Sequence, residues 1–374
     1  MRPLLRLSDR LVAGGFIRPA VLIRGLQLSR PSLSRWPVML TLSLSGLAVE
    51  PLAWLQSLLY RKKLERLQLP DDPIVVIGHW RSGTTYLHQL LASDPAMATA
   101  RNTFTVAPHV ALLLKPLLRP LLSRWMSQVR PIDAVPWGAD DPQEDEVGLA
   151  RLTMDTNMAG LAFPMEYLFH LRRSVTGLTP GFEHQWLHLT KLTWLHDGRD
   201  KTRLLIKNSA HSARLRLLIK HFPRARFVVL QRSPIDSIRS LVQVKQRLGD
   251  LVGLQPPPSL FRQVEETVTA HAELMQSLEQ SQRSIPAEQL LEVSYSDLVT
   301  RPLETVKRIY NHFGIAGWSE AEGPIRQRIE RARAYRADPV HLPEQLEQHL
   351  RDCLKTASIL RKIAGNGCMN CCWR

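Results

Sequence analysis

Short apolar runs, each followed by a stretch with helical spacing, organise the middle of the chain. Ile74-Val75-Val76-Ile77, bounded by Pro73 and Gly78, is short and branched enough to be a buried parallel strand. Thr84-Thr85 then opens a helical run through Leu87, Leu90 and Leu91. Leu204-Leu205-Ile206 predicts another strand, followed by a helix over 213–221 that Phe222-Pro223 stops. Residues 226–231 predict a third strand, and Pro234 suits the first turn of the helix after it. Residues 290–293 predict a fourth, and 302–313 an amphipathic helix closed by Gly314. This alternation implies an α/β fold, with a central parallel sheet between helical layers and ligands at the carboxyl ends of the strands.

The first seventy residues follow another pattern. Residues 36–60 are strongly apolar, but Glu50-Pro51 interrupts them, and the uninterrupted part, 36–49, is short for a membrane span. Arg24, Arg30 and Arg35 flank it on one side and Arg61-Lys62-Lys63 on the other. Trp36, Trp54 and Tyr60 fall where amphipathic rings favour the headgroup zone. The segment reads as an interfacial or re-entrant anchor, ahead of a buried helix or a full span. Residues 1–30 have scattered Arg and no compact apolar core, which argues against a secretory signal. Residues 106–125, with Lys115, Arg119 and Arg124, suit either the same membrane surface or a lid over an acceptor cleft. The chain thus divides into a membrane-associating region, 1–69, a catalytic domain, 70–325, with an insertion over about 99–201, and a charged helical tail, 326–374.

Composition narrows the partners. The 374 residues are 44% hydrophobic and carry a net charge of +15. The basic residues do not interleave with aromatics, so an anionic nucleotide and an anionic membrane surface account for the charge better than nucleic acid. Three of the four cysteines, Cys368, Cys371 and Cys372, crowd the C-terminus, which gives neither a disulfide framework nor a metal site. Without an Asn-x-Ser/Thr sequon, the expected location is cytoplasmic, at the inner face of a membrane.

Two strand ends carry candidate chemistry. Gly78 and Gly83 frame a loop that aims backbone amides and a helix N-terminus at one spot, which attracts an anion. The frame resembles a Walker A loop, but Thr84 stands where that motif has lysine, and the loop's fixed positive charge is Arg81. The fold is therefore expected to be P-loop-like, with a phosphate-bearing donor other than ATP. At the end of the 226–231 run, Arg232 and Ser240 can hold a second phosphate, one with a guanidinium fork and the other with a hydroxyl.

With both anchors in this order, the chain resembles sulfotransferases that use 3′-phosphoadenosine-5′-phosphosulfate, over residues 73–314. It looks closest to the bacterial-type group that modifies carbohydrates and lipids. The resemblance implies that Arg81, Ser82, Gly83, Thr84 and Thr85 cradle the 5′-phosphosulfate and that Arg232 and Ser240 grip the 3′-phosphate. The implied acceptor is a hydroxyl of a carbohydrate, glycolipid or other lipid-linked molecule, and the reaction needs no metal. The C-terminal Lys-Gly pattern of the soluble members is not visible.

For the general base, Glu144 is the first candidate and Glu146 the second, because both lie in the acidic run 140–146 before a helical stretch. His211 competes, just past the 204–206 strand, where Lys207 can touch the phosphosulfate. His79 reads as a packing or nucleotide-binding residue. Two other readings remain open: a kinase or NTPase on a similar loop, and a non-catalytic membrane- or nucleic-acid-binding protein.

Overall fold

The computed structural model describes residues 7–126, 129–130, 132–133, 135–333 and 340–365. The tail cysteines Cys368, Cys371 and Cys372 lie outside them. Five strands form one sheet: β1 (Ile74–Gly78), β2 (Met97–Ala98), β3 (Arg203–Lys207), β4 (Arg226–Gln231) and β5 (Leu290–Ser294). Their order is β2-β3-β1-β4-β5 and every pairing is parallel. β1 is the central strand. The short edge strand β2 has no sequence signature, being two residues inside a longer apolar stretch.

Alternate residues of the central strands feed two cores. Val75 and Ile77 of β1, with Phe227 and Val229 of β4, face one layer, which contains Trp186, Leu189 and Leu192 of the helix Phe182–Asp197. Ile74 and Val76, with Val228 and Leu230, face the other, with Leu87 and Leu90 of the helix Thr84–Leu91 and Val306 and Ile309 of the helix Pro302–Phe313. This period-2 split makes the molecule three-layered and explains why these strands are apolar at every position. Gly314 closes the 302–313 helix in the left-handed conformation, as its sequence predicts. The region predicted as one helix over 213–221 is a 3-10 turn, Ser209–Ala213, followed by the helix Leu215–His221.

The N-terminal region departs from the expected interruption. Trp36–Arg66 is a single helix of 31 residues with Pro51 inside it, and by length and composition alone Leu33–Arg66 is able to cross a membrane. Proline removes one main-chain hydrogen bond, but packing on both sides of it keeps the helix continuous. Ala53 and Gln56 are buried on one side and Leu42 and Gly46 on the other, while Glu50 pairs with Arg18. Residues 106–111 are largely buried in the core, and Lys115–Trp125 is a helix with Leu118 and Leu122 inward. At the other end, Leu346 and Leu350 of the helix Glu344–Gly365 pack on Ile238, Val242, Val264 and Val268. The helix Trp318–Arg333 runs across residue 326.

Candidate active site

Gly78, the last residue of β1, leaves the sheet with φ +132°, and a Cβ there would sit 2.5 Å from the carbonyl oxygen of Leu230 on β4. Only glycine lets the neighbouring strand come this close at the turn. Gly83, at φ +98°, leads into the helix Thr84–Leu91, whose opening N–H groups lack intrahelical acceptors and make that end positive. Within the loop Arg81 is itself left-handed, at φ 69°. For a residue with a Cβ that costs about 1–2 kcal/mol.

Three contacts hold Arg81 there. Its Nε donates to Ser240 Oγ at 3.0 Å, its guanidinium pairs with Asp133 at 2.7 Å, and its carbonyl oxygen accepts from the Arg232 guanidinium at 2.8 Å. Arg232 in turn lies over the ring of Tyr295, 4.2 Å from its centroid. The two anchors that the sequence separates by 151 positions are therefore in direct contact. Asp133 also pairs with Arg130. Burial alone would raise the Asp133 pKa, but Arg130 and then Arg81 outweigh it and hold the carboxyl at about 2.

The acidic run meets the tip of β3 on the other side of β1, where Lys207 is in register with Val76. Glu144 precedes the helix Asp145–Leu152. One of its carboxylate oxygens lies 3.0 Å from Lys207 Nζ, and the other accepts from the Ser209 N–H at 2.8 Å. Its side chain keeps 12% exposure, whereas Glu146 and His211 are at 0%. Glu144 is thus the one of the three candidate bases whose side chain keeps any exposure.

Glu146 and His211 belong to a buried network. Glu146 accepts from Arg214 at 2.7 and 3.1 Å, from Asn208 Nδ2 at 2.6 Å, from Thr156 Oγ1 at 2.9 Å and from the Asn157 N–H at 2.8 Å. Burial pushes its pKa up, but Arg214 first, with Asn208 and the Asn157 amide, overrides that and brings it to about 2. His211 Nε2 is 3.1 Å from Asp145, whose other oxygen accepts from Asn208 at 2.7 Å. His79 is buried against His271, their ring centroids 4.4 Å apart. Burial, then the neighbouring His271, hold its pKa well below the usual histidine value.

Sequence reasoning missed three participants, Asp133, Asn208 and Arg214. Each has a partner in the site that lies far away in the chain, Arg81 for Asp133 and Glu146 for Asn208 and Arg214. The arrangement nonetheless fits an anionic, two-phosphate ligand. Gly78, Arg81 and Gly83 shape the loop, Arg232 and Ser240 stand one strand away, and the hydroxyls of Ser82 and Ser209 are buried without a partner among the described residues. Such a hydroxyl costs about 1–3 kcal/mol when left unsatisfied. A ligand oxygen at the loop would remove that cost for Ser82. Thr84 is buried in the first helical turn and Thr85 half-buried beside it, both at the loop's end.

Residues 73–320 match the sulfotransferase family. The chain is 26% identical over 312 residues to omega-hydroxy-beta-dihydromenaquinone-9 sulfotransferase Stf3 of Mycobacterium bovis and of Mycobacterium tuberculosis, covering 82% of this chain and 77% of each relative. Its fold is similar to that of the solved sulfotransferase STF9 from Mycobacterium avium, with a TM-score of 0.62, 17% identity, and 97% of this chain and 90% of that one covered. Sulfotransferase STF1 from Mycobacterium tuberculosis aligns with a TM-score of 0.61 at 19% identity, over 94% of this chain and 93% of that one.

Proposed function

Because the chain belongs to the sulfotransferase family, we propose that it moves a sulfuryl group from 3′-phosphoadenosine-5′-phosphosulfate to a hydroxyl of a lipid-like acceptor at a membrane surface. The observation that carries this reading is the meeting of Arg81, Arg232 and Ser240 at the ends of β1 and β4, with the Glu144–Lys207 pair at the end of β3. β3 and β4 flank β1, so the strand ends that carry Lys207 and Arg232 are about 10 Å apart at ordinary strand spacing. That span suits a nucleotide held by a phosphate at one end and reacting at the other.

In this reading Arg232 and Ser240 hold the 3′-phosphate. The loop amides, Arg81, Ser82, Thr84 and Thr85 neutralise the 5′-phosphosulfate, as electrostatic positioning dominates the analogous phosphoryl transfers. Glu144 accepts the proton of the acceptor hydroxyl as its oxygen bonds to sulfur. The bond from sulfur to the bridging phosphate oxygen breaks, and the 3′,5′-bisphosphate leaves. Lys207 moves its charge from Glu144 toward the leaving oxygen, which frees the carboxylate to take the proton. Asp145, Glu146, Asn208, His211 and Arg214 fix the orientation of the helix start and of the β3 tip. The donor and the base together need no metal.

A lipid-like acceptor is supported by the relative's substrate, a hydroxylated menaquinone derivative, and by the apolar N-terminal region. The enzyme would work on the cytoplasmic side of that membrane. Incubation with donor labelled in its sulfate, together with a membrane lipid extract and a panel of glycolipids and polysaccharides, tests the assignment. Label in the lipid phase is expected. Label confined to polysaccharide would replace the acceptor class, and no transfer to any acceptor would overturn the reading.

A further inference from the structure

The helix Trp36–Arg66 is apolar on both long faces, and the described residues occupy only one of them. On the inner face Val38, Met39, Leu42 and Ala53 are buried against the body of the protein. Gln56 is a buried tether: its amide donates to the carbonyl of Pro108 at 2.9 Å, and its oxygen accepts from the Leu112 N–H at 2.8 Å. Gly46 lies so close to the carbonyl oxygen of Ile17 that a Cβ would approach it to 1.9 Å. Near the C-terminal end Lys191 donates to the carbonyl of Leu64 at 2.9 Å.

The outer face is just as apolar and meets solvent. Trp36, Leu40, Leu44, Leu47, Trp54 and Leu58 all project outward, Trp54 with 67% of its surface exposed. Ser57 is the only polar residue among the exposed positions from 36 to 60. Glu50, the one charged residue in that stretch, is turned aside to Arg18. The uncharged face is about 36 Å long at helical rise. Basic residues stand beyond both ends, Arg35 before it and Arg61, Lys62 and Lys63 after it. A contiguous apolar face of this size on a folded domain marks an interaction surface.

We propose that this outer face docks the enzyme on an anionic membrane, with the helix lying in the membrane plane and sunk to the level of the acyl–headgroup boundary. The proposal deepens the membrane-surface part of the proposed function and rests on that reading for its purpose. Two observations select this occupant. A helix crossing the bilayer would have to give up Gln56, the Glu50–Arg18 pair and the buried inner face, because all of these join it to the body. A second copy packed on the same face would set like charges together, since both ends are basic whichever way two such helices run. Lipid carries the opposite charge, accepts the leucines into its acyl layer and places the tryptophans at headgroup depth. Docked this way, the enzyme meets a lipid hydroxyl without extracting it into water.

The test is flotation of the full chain with vesicles of phosphatidylcholine mixed with phosphatidylglycerol, in the absence of donor and acceptor. The protein should float with the mixed vesicles and less with phosphatidylcholine alone. The triple variant Leu40→Gln, Leu44→Gln, Leu58→Gln should lose about a hundredfold or more in partitioning, while its calorimetric affinity for the 3′,5′-bisphosphate nucleotide stays unchanged. Brominated acyl chains should quench the native tryptophan fluorescence, and quench the Trp54→Phe variant less. That comparison holds even if the triple variant fails to fold. Native protein that does not float, or a triple variant that floats equally well, overturns the proposal. So does a native dimer that the triple variant converts to monomer without vesicle binding, which would assign the face to a second copy. Retention in membranes through alkaline carbonate would overturn it in favour of a span. Flotation without any nucleotide affinity would sink the sulfotransfer reading and leave the docking face standing.

Discussion

Arg232 donates to the main-chain oxygen of Arg81 at 2.8 Å, and this contact joins the loop after β1 to the end of β4, the two anchors proposed for the donor. It holds the carbonyl of a residue whose left-handed backbone is otherwise unfavourable. It also orients a guanidinium already stacked on Tyr295. The loop after β1 and the helix start after β4 are therefore set relative to each other before any ligand arrives. Preorganisation of this kind lowers the cost of binding.

Replacing Arg232 by Ala should weaken both the 3′,5′-bisphosphate nucleotide and its 5′-monophosphate analogue, because the loop loses a support. The bisphosphate should lose more, by about 1.5–3 kcal/mol, the worth of a hydrogen bond to a charged group. Arg232→Lys should recover part of the charge but not the fork. Calorimetry showing equal losses for the two nucleotides would remove Arg232 from the 3′-phosphate.

Asp133 neutralises Arg81, the charge that the proposed donor would meet. Its carboxyl, held at about 2, stays ionised at every working pH, so it competes with an incoming anion for Arg81. Asp133→Ala should therefore tighten binding of the bisphosphate nucleotide by about tenfold, with a steeper dependence on salt. Weaker binding in the variant would mean instead that Asp133 serves to aim Arg81 at the donor.

Four of the five strands and the glycine-framed turn after β1 are legible in the sequence because each depends on local rules. β-branched runs, glycines at a turn and proline at a helix start act over a few residues. Ile74–Gly78, Arg226–Gln231 and Pro302–Phe313 stand where those rules put them. What escaped is what distance supplies. Pro51 reads as a break, yet the helix continues because packing of Gly46, Ala53 and Gln56 overrides one missing hydrogen bond. The acidic run offers Glu144 ahead of Glu146 as a base, and the tertiary partners separate its carboxylates further. Arg214 claims Glu146, His211 and Asn208 claim Asp145, and Lys207 with the Ser209 N–H holds Glu144, whose side chain keeps 12% exposure. Nothing near Arg214 in the sequence points to a carboxylate 68 positions away.

The Glu146–Arg214 pair gives the protein an acid-sensitive core. Glu146 has a folded pKa of about 2 against an ordinary 4.5, so its contribution is fully present above about 4.5 and is lost as pH falls toward 2. Glu146→Gln should flatten the acid limb of the stability curve over that window and lower stability at neutral pH. Arg214→Met alone should cost about 3–5 kcal/mol, because it strands a buried carboxylate. The double variant Glu146→Leu, Arg214→Met should recover much of that loss. A native acid limb no steeper than that of Glu146→Gln in chemical denaturation would show that the pair does not set it.

The same geometry ranks the three candidate bases. Glu144→Gln keeps the size and, through its single amide oxygen, one of the two contacts to Lys207 and Ser209, but removes proton affinity. Turnover should fall by about 10²–10⁴, the usual contribution of a positioned base, with little change in donor affinity. His211→Ala should act differently. The ring is fully buried on Asp145, so its loss loosens the β3 tip and lowers thermal stability together with turnover. Glu146→Gln should likewise affect stability more than the chemical step. Single-turnover measurements with saturating donor separate these effects from binding. If Glu144→Gln turns over near the native rate, while His211→Ala is inactive yet melts at the native temperature, the proton goes to His211. The β3 tip would then have to open during catalysis to expose that ring, and hydrogen exchange across residues 207–213 would be faster with donor bound than without.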